Sequence, residues 1–232
     1  MRTLGVIPAR GGSKGVPRKN LRPIAGKPLL QFTLEAALGA SSLSRLIVST
    51  DDEEIAGVAR DAGADVPFMR PAELATDSAR SLPVLQHALA TVERQENAPT
   101  YDAVVMLQPT TPFRSAQDID GAVALLERSG ADSVISVVDV GGHHPARMKY
   151  LDGDRLVDPP FCEAEENQPR QELTPMYLRN GAIYAVRRAT LLANSFKGRD
   201  CRAWIMPVER SINIDTLADF EYATWLLERK AS

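Results

Sequence analysis

The sequence predicts an α/β fold, a mostly parallel sheet sandwiched by helices, over a single domain spanning residues 1–232. Three observations carry this prediction. Short apolar runs alternate with amphipathic stripes through the first 140 residues, the order of repeated strand–helix units. The run Ala103-Val104-Val105-Met106-Leu107 is apolar at every position, as in the centre of a parallel sheet, where both faces are covered. The chain is 44% hydrophobic and 25% charged, and at 232 residues it is long enough to bury a large core without a disulfide or a metal.

The elements follow in order. Residues 4–9 form an apolar segment of strand length, and residues 29–40 carry a helical stripe of Leu30, Leu34, Ala37 and Leu38. Leu46-Ile47-Val48-Ser49 is a short buried strand. Thr50-Asp51-Asp52 then starts a helix running to Gly63, with Asp51 equally suited to cap it or to touch a ligand. Val66-Pro67-Phe68 is a brief strand before the loop at 70–75. Residues 82–96 form a helix with Leu82, Leu85, Leu89 and Val92 on one face. A helix over 116–128 and a strand over 133–138 follow the central strand.

From about Val140 the rhythm breaks. Gly141-Gly142-His143-His144-Pro145 and the acidic stretch 158–175 are irregular, so residues 140–180 are expected to form an excursion from the main sheet. His143 and His144 suit loop packing or a partner contact better than a metal, because no third ligand stands at suitable spacing. A strand returns at 181–186. The last helix starts near Thr216, where Thr216 and Asp219 fit a capping box, and turns Leu217, Phe220, Ala223 and Leu227 inward.

Charge is concentrated at one end. The first 34 residues contain seven basic side chains and no Asp or Glu, whereas the remaining 198 carry −10. A nucleic-acid binder would spread positive charge over a face, so this pattern argues against nucleic acid as partner and favours a small anionic ligand. No apolar run is long enough to span a membrane, and no secretory pattern is visible. A cytoplasmic protein is expected, with Cys162 and Cys201 as free thiols.

Six of those seven basic residues lie between Arg10 and Lys27, directly after the first strand, interleaved with Gly11, Gly12 and Gly15. Small residues let backbone N–H groups approach phosphate oxygens while Lys and Arg neutralise their charge. The loop is not a Walker A motif, because Pro28 follows Gly26-Lys27, and it contains no Gly-x-Gly-x-x-Gly. In an open parallel sheet the ligand lies beyond the carboxyl ends of the strands, where Arg10, Asp51 and Gln108 stand.

The stretch Ile7-Pro8-Ala9-Arg10-Gly11-Gly12-Ser13-Lys14-Gly15-Val16-Pro17-Arg18-Lys19-Asn20 resembles the phosphate loop of the CMP-sialic acid synthetases, the acylneuraminate cytidylyltransferases. The resemblance continues through Val48-Ser49-Thr50-Asp51, Arg70-Pro71-Ala72-Glu73-Leu74-Ala75, Leu107-Gln108-Pro109-Thr110-Thr111-Pro112-Phe113-Arg114 and Gln168-Pro169-Arg170-Gln171. It ends with Arg179-Asn180-Gly181-Ala182-Ile183-Tyr184 and Ser211-Ile212-Asn213-Ile214-Asp215-Thr216.

The resemblance implies a Rossmann-like fold of the nucleotidyltransferase type, with 140–180 as a small dimerisation excursion. It also implies transfer of CMP from CTP to the anomeric hydroxyl of a nonulosonic acid, releasing pyrophosphate, by a homodimer that uses Mg²⁺. Arg10, Gly12, Ser13, Lys14, Lys19, Asn20 and Arg70 would hold the nucleotide, with Arg10, Lys19 and Asp215 catalytic. Gln108, Arg170, Arg179, Asn180 and Tyr184 would serve the sugar. Asp215 would bind the metal. Here the chain departs from the many relatives that carry two aspartates two residues apart, because Asn213 takes the other place and would offer Mg²⁺ a neutral oxygen, directly or through water. A nucleotidyltransferase for another acid sugar such as Kdo, or a non-catalytic nucleotide-sugar sensor, are the alternatives.

Overall fold

The computed structural model describes residues 1–13, 15–96 and 100–231. Strand β1 (Thr3–Pro8) leads through the basic loop and a short ladder, β2 (Pro23–Ile24) against β3 (Lys27–Pro28), into α1 (Leu29–Leu38) and β4 (Arg45–Ser49). Helices α2 (Glu53–Asp61) and α3 (Ser81–Glu96) precede β5 (Ala103–Met106), and α4 (Ala116–Ser129) precedes β6 (Ser133–Asp139). A hairpin of β7 (Tyr150–Asp152) and β8 (Arg155–Val157) stands outside the main sheet. The chain then forms β9 (Tyr177–Arg187), α5 (Arg188–Leu192), β10 (Cys201–Ile205) and α6 (Leu217–Ala231).

The main sheet has the order β10-β6-β9-β5-β1-β4. β1 pairs in parallel with both β4 and β5, β10 pairs in parallel with β6, and β9 runs antiparallel between β5 and β6. After β4 the chain crosses to the far side of β1 to make β5, which opens a crevice at the carboxyl ends of these strands. Residues of β1 alternate between two cores, as a strand must. Ile7 packs with Leu34, Ile55 and Ile119 from α1, α2 and α4, whereas Leu4 and Val6 pack with Leu85, Leu89 and Leu191 from α3 and α5. A third cluster, Val16, Ile24, Leu29, Ile214, Phe220 and Ala223, joins the basic loop to the segment that enters α6.

Several expectations change. The strand expected at Val66-Pro67-Phe68 reduces to two isolated bridges, at Asp65 and Met69, because Pro67 has no N–H to give to a ladder. Asp52, not Asp51, caps α2, accepting from the N–H groups of Glu54 and Ile55. The chain rejoins the sheet at Tyr177, so only the residues before it lie outside. In α6, Phe220 and Ala223 are buried but Leu217 is exposed. His144 is buried: its Nε2 lies 2.9 Å from the Thr174 carbonyl and its Nδ1 accepts from Ala146 N–H, so it is a loop-packing residue. No helix among the described residues is long and apolar enough to cross a membrane.

Candidate active site

A cleft of about 640 Å³ opens at the carboxyl ends of β1 and β5. The basic loop forms one wall and is braced by acids from the β4–α2 turn. Gly11 N–H donates to Asp51 Oδ1 at 3.0 Å, and a Cβ on Gly11 would stand 2.6 Å from Asp52 Oδ2. Arg18 takes the left-handed conformation, φ 55°, which swings its guanidinium onto Asp52 and Glu54. Burial pushes the Asp52 carboxyl up, but the Ile55 N–H and the Arg18 guanidinium outweigh burial and hold it below its ordinary range. Asn20 donates to the Arg10 carbonyl at 2.9 Å and closes the loop on itself.

Among the described residues, two cations of this loop reach the cleft. Arg10 donates to the Thr76 carbonyl at 2.7 Å and pairs with Asp77 at 2.9 Å. Lys19 Nζ donates to the Ile214 carbonyl and to Asp215 Oδ1, both at 2.9 Å. The close fit depends on Gly15, because a Cβ there would lie 2.7 Å from the Asp215 carbonyl oxygen. Val16 and Ile214, both fully buried, pin the two segments beneath this contact. Behind Arg10, Arg70 is buried against the hydroxyl and carbonyl of Ser49. Burial pulls its guanidinium down to about 10, with Asp51 opposing and Arg10 adding to the shift, so it stays charged at neutral pH.

The rear of the cleft is built around the loop after β5. Thr111 Oγ1 donates to the Asn180 carbonyl at 2.8 Å, and Ile214 N–H donates to the Thr110 carbonyl at 2.7 Å. One loop thereby fixes both the Gln108 side and the Asp215 side. Gly181 has φ 79°, and a Cβ on it would stand 2.9 Å from Gln108 Oε1, so glycine is needed for conformation and for space. Asn213 directs its amide nitrogen at Asp215 Oδ2, which leaves its oxygen on the Gly181 side.

Among the described residues no group of three or more His, Cys, Asp or Glu stands ready for a metal. The donor set still fits Mg²⁺, which is commonly held by one or two carboxylates together with substrate phosphates and water. The Asp215 carboxylate, beside Lys19, is 62% exposed at the cleft, which Arg10 also lines, and offers one such ligand.

Residues 4–199 match the family model for cytidylyltransferases. The chain belongs to that family. It is 36% identical to CMP-N,N'-diacetyllegionaminic acid synthase of Legionella pneumophila, over 98% of this chain and 97% of the relative. It is 34% identical to N-acylneuraminate cytidylyltransferase of Escherichia coli over 99% of this chain, but spans only 54% of that longer relative. Identity to pseudaminic acid cytidylyltransferase of Campylobacter jejuni is 32%, over 96% of this chain and 95% of the relative. The solved structure of CMP:2-keto-3-deoxy-manno-octonic acid synthetase complexed with CTP superposes with a TM-score of 0.73 at 19% identity, covering 99% of this chain and 100% of that one. 4-Diphosphocytidyl-2C-methyl-D-erythritol synthase from Anaerococcus prevotii superposes at 0.65 and 17%, covering 98% and 96%. The two structures establish the α/β fold with its mostly parallel sheet.

Within this cytidylyltransferase fold, Arg10, Ser13, Lys19, Asn20, Arg70, Gln108 and Asp215 line one cleft. Gly12 is exposed beside it with open space around its Cα, and Lys14 lies outside the described residues. The other sugar-side expectations fare differently. Asn180 spends its amide inside the protein: the nitrogen donates to Ser211 Oγ at 2.9 Å, and the oxygen accepts from Ser136 and from Ala182 N–H. It shapes the β9 bulge and has no atom free for a sugar. Tyr184 is half-buried in β9 against Phe196, ring centroids 5.8 Å apart; burial raises its phenol and the nearby Arg179 lowers it. Arg179 lies opposite Val137, and the exposed Arg170 pairs with Asp139 at 3.3 Å, outside the cleft of its own chain.

Sequence reasoning missed Asp77 and Gly15. Asp77 had no local signal, since its partner Arg10 is distant in sequence. Gly15 is one loop glycine among several in the sequence, and only its contact with residue 215 shows why it must be glycine.

Proposed function

We propose that the protein transfers CMP from CTP to the anomeric hydroxyl of a nonulosonic acid and releases pyrophosphate, with Mg²⁺, as a cytoplasmic homodimer. The observation that carries this reading is the convergence of Arg10, Lys19 and Asp215 on one cleft, with Gln108 at its rear. The relatives are named for N-acylneuraminic, legionaminic and pseudaminic acids, which supports an acceptor of that class.

In this reaction the anomeric oxygen attacks the α-phosphorus and its proton passes to water. The bond from that phosphorus to the oxygen bridging to the β-phosphate breaks, and pyrophosphate leaves. Charge develops on phosphoryl oxygens, so the protein's work is positioning and neutralisation. Arg10 and Lys19 supply fixed cations, and their present partners Asp77 and Asp215 keep both side chains aimed at the cleft before the nucleotide arrives. Asp215 with the triphosphate would hold Mg²⁺, which when bound neutralises phosphate charge and orients the leaving group.

Leu151 and Leu156 in the hairpin are 73% and 72% exposed, Tyr150 in the same hairpin is exposed, and so are Phe161 and Leu178. Apolar surface of this kind marks an interaction site. In the homodimer it is covered by the second copy, and Arg170, outside its own cleft, is offered to the neighbour. Pyrophosphate release measured with CTP, Mg²⁺ and a panel of nonulosonic acids tests the proposal. Release only when an acid sugar is present supports it, and release with a sugar 1-phosphate instead would move the protein to another nucleotidyltransferase class. A fully active monomer in light scattering would remove the dimer.

A further inference from the structure

The motif that runs from Leu107 through Gln108 ends in a residue, Arg114, with no part in the site described so far. Arg114 is 3% exposed, and its three partners are all uncharged. Nε donates to the Ala182 carbonyl at 2.9 Å, Nη1 to Thr33 Oγ1 at 2.7 Å, and Nη2 to the Gln108 carbonyl. The neighbouring carboxylate, Asp118, is already engaged by Arg210 through two bonds of 3.0 and 2.9 Å and by Ser115. A buried cation with neutral acceptors carries a desolvation cost that a purely structural contact does not require. Burial pulls the guanidinium down to about 9, opposed by Asp118, so it remains charged at neutral pH.

Its position says what that charge does. Two of the three acceptors are the backbone of Gln108, which lines the cleft, and of Ala182, directly after Gly181. Gly181 and Gln108 Oε1 meet at the rear of the cleft, so a shift in either backbone segment moves the Gln108 amide. The planar fork of arginine fixes both segments at once, which the single ammonium of lysine does not. The same charge stands behind the Gln108 wall, in a dry interior where its field is weakly screened.

We propose that Arg114 is the positioning residue for the acceptor side of the cleft, fixing Gln108 against the Asn180–Ala182 bulge and favouring an acceptor that carries a carboxylate. The inference rests on the proposed function, because it takes the Gln108 end as the sugar side.

The test compares wild type with Arg114→Met, Arg114→Lys and Thr33→Val, using pyrophosphate release with an accepted nonulosonic acid and with its uncharged carboxamide. Thermal melting and calorimetric CTP binding confirm folded protein. In Arg114→Met, KM for the acid should rise about 10- to 100-fold, the range for a lost bond to a charged group, while CTP binding stays within about twofold. The carboxamide should lose much less, and the gap between acid and amide should narrow. Arg114→Lys should keep the preference for the acid but lower kcat. Thr33→Val, which keeps the arginine and one fewer acceptor, should show a smaller loss in the same direction if Arg114→Met does not fold. Equal losses for acid and amide, or equal losses for sugar and CTP, would make Arg114 a core residue only and overturn the proposal. A wild type that makes no pyrophosphate with any acid sugar, while still binding CTP, would overturn the parent reading and this one with it.

Discussion

Replacing Lys19 with Ala removes one ammonium that performs two tasks. Its Nζ holds the Ile214 carbonyl and the Asp215 carboxylate at 2.9 Å, so it ties the basic loop to the entry of α6. The Lys19 side chain is only 11% exposed, but Asp215 is 62% exposed, so the carboxylate bond is largely screened and the carbonyl bond carries most of the stability. The loss should be about 1–2 kcal/mol, or roughly 2–8 °C in melting temperature for a chain of this size. The fold should survive, because Val16 and Ile214 remain buried in the cluster beneath. Turnover should suffer far more. Removing one fixed donor from developing phosphoryl charge costs roughly 3–4 kcal/mol at the upper end, so kcat/KM for CTP should fall about ten- to a thousandfold. Steady-state pyrophosphate release and a thermal melt on the same sample read both effects. A folded variant with wild-type kcat/KM would refute the assignment of Lys19 to the triphosphate.

Other perturbations separate the remaining parts. Asp215→Asn keeps shape but removes the one carboxylate ligand, so kcat should fall about a hundredfold or more and calorimetric Mg²⁺ binding in the presence of CTP should weaken. Asn213→Asp would set a second carboxylate where an amide now touches Asp215, and should tighten Mg²⁺ binding while preserving activity. Gly15→Ala places a Cβ 2.7 Å from a backbone oxygen and should raise KM for CTP about tenfold, by misplacement of the loop, whereas Gly57→Ala in α2, with open space around it, should leave turnover unchanged. The Asp118 carboxyl is pushed up by burial but held below its ordinary 3.8 by Arg210 and Ser115. Its contribution is therefore complete above about pH 4 and is lost as pH falls through the lower folded value, so melting temperature should fall below about pH 4 and less steeply in Asp118→Asn.

Most of the sheet was legible because buried strands and helix stripes impose different periods. Direction was not, since the apolar run at 181–186 reads the same in a parallel or an antiparallel strand, and β9 is antiparallel. The edge strand β10 was missed because Arg202 interrupts its apolar residues and the strand has a neighbour on one edge only, with Arg202, Ala203 and Ile205 all exposed. The basic loop was recognised for its composition, yet its charge count overstated the site. Arg18 turns to Asp52 and Glu54, Lys27 to Glu35, and Arg22 lies over the Phe220 ring, leaving Arg10 and Lys19 as the described cations of the segment that line the cleft. Those acid partners lie outside the segment, so a local count cannot subtract them. Asn180 illustrates the same limit: its motif pointed to the sugar, but only coordinates reveal that Ser136, Ala182 and Ser211 consume its amide.

The most direct measurement is phosphorus NMR of the protein incubated with CTP, Mg²⁺ and a nonulosonic acid, with mass spectrometry of the products. Loss of the three CTP resonances should match, mole for mole, the appearance of pyrophosphate and of one phosphodiester joining CMP to the acid sugar. CTP that persists with every acid sugar offered, or that is converted to free CMP with no sugar attached, would contradict the account.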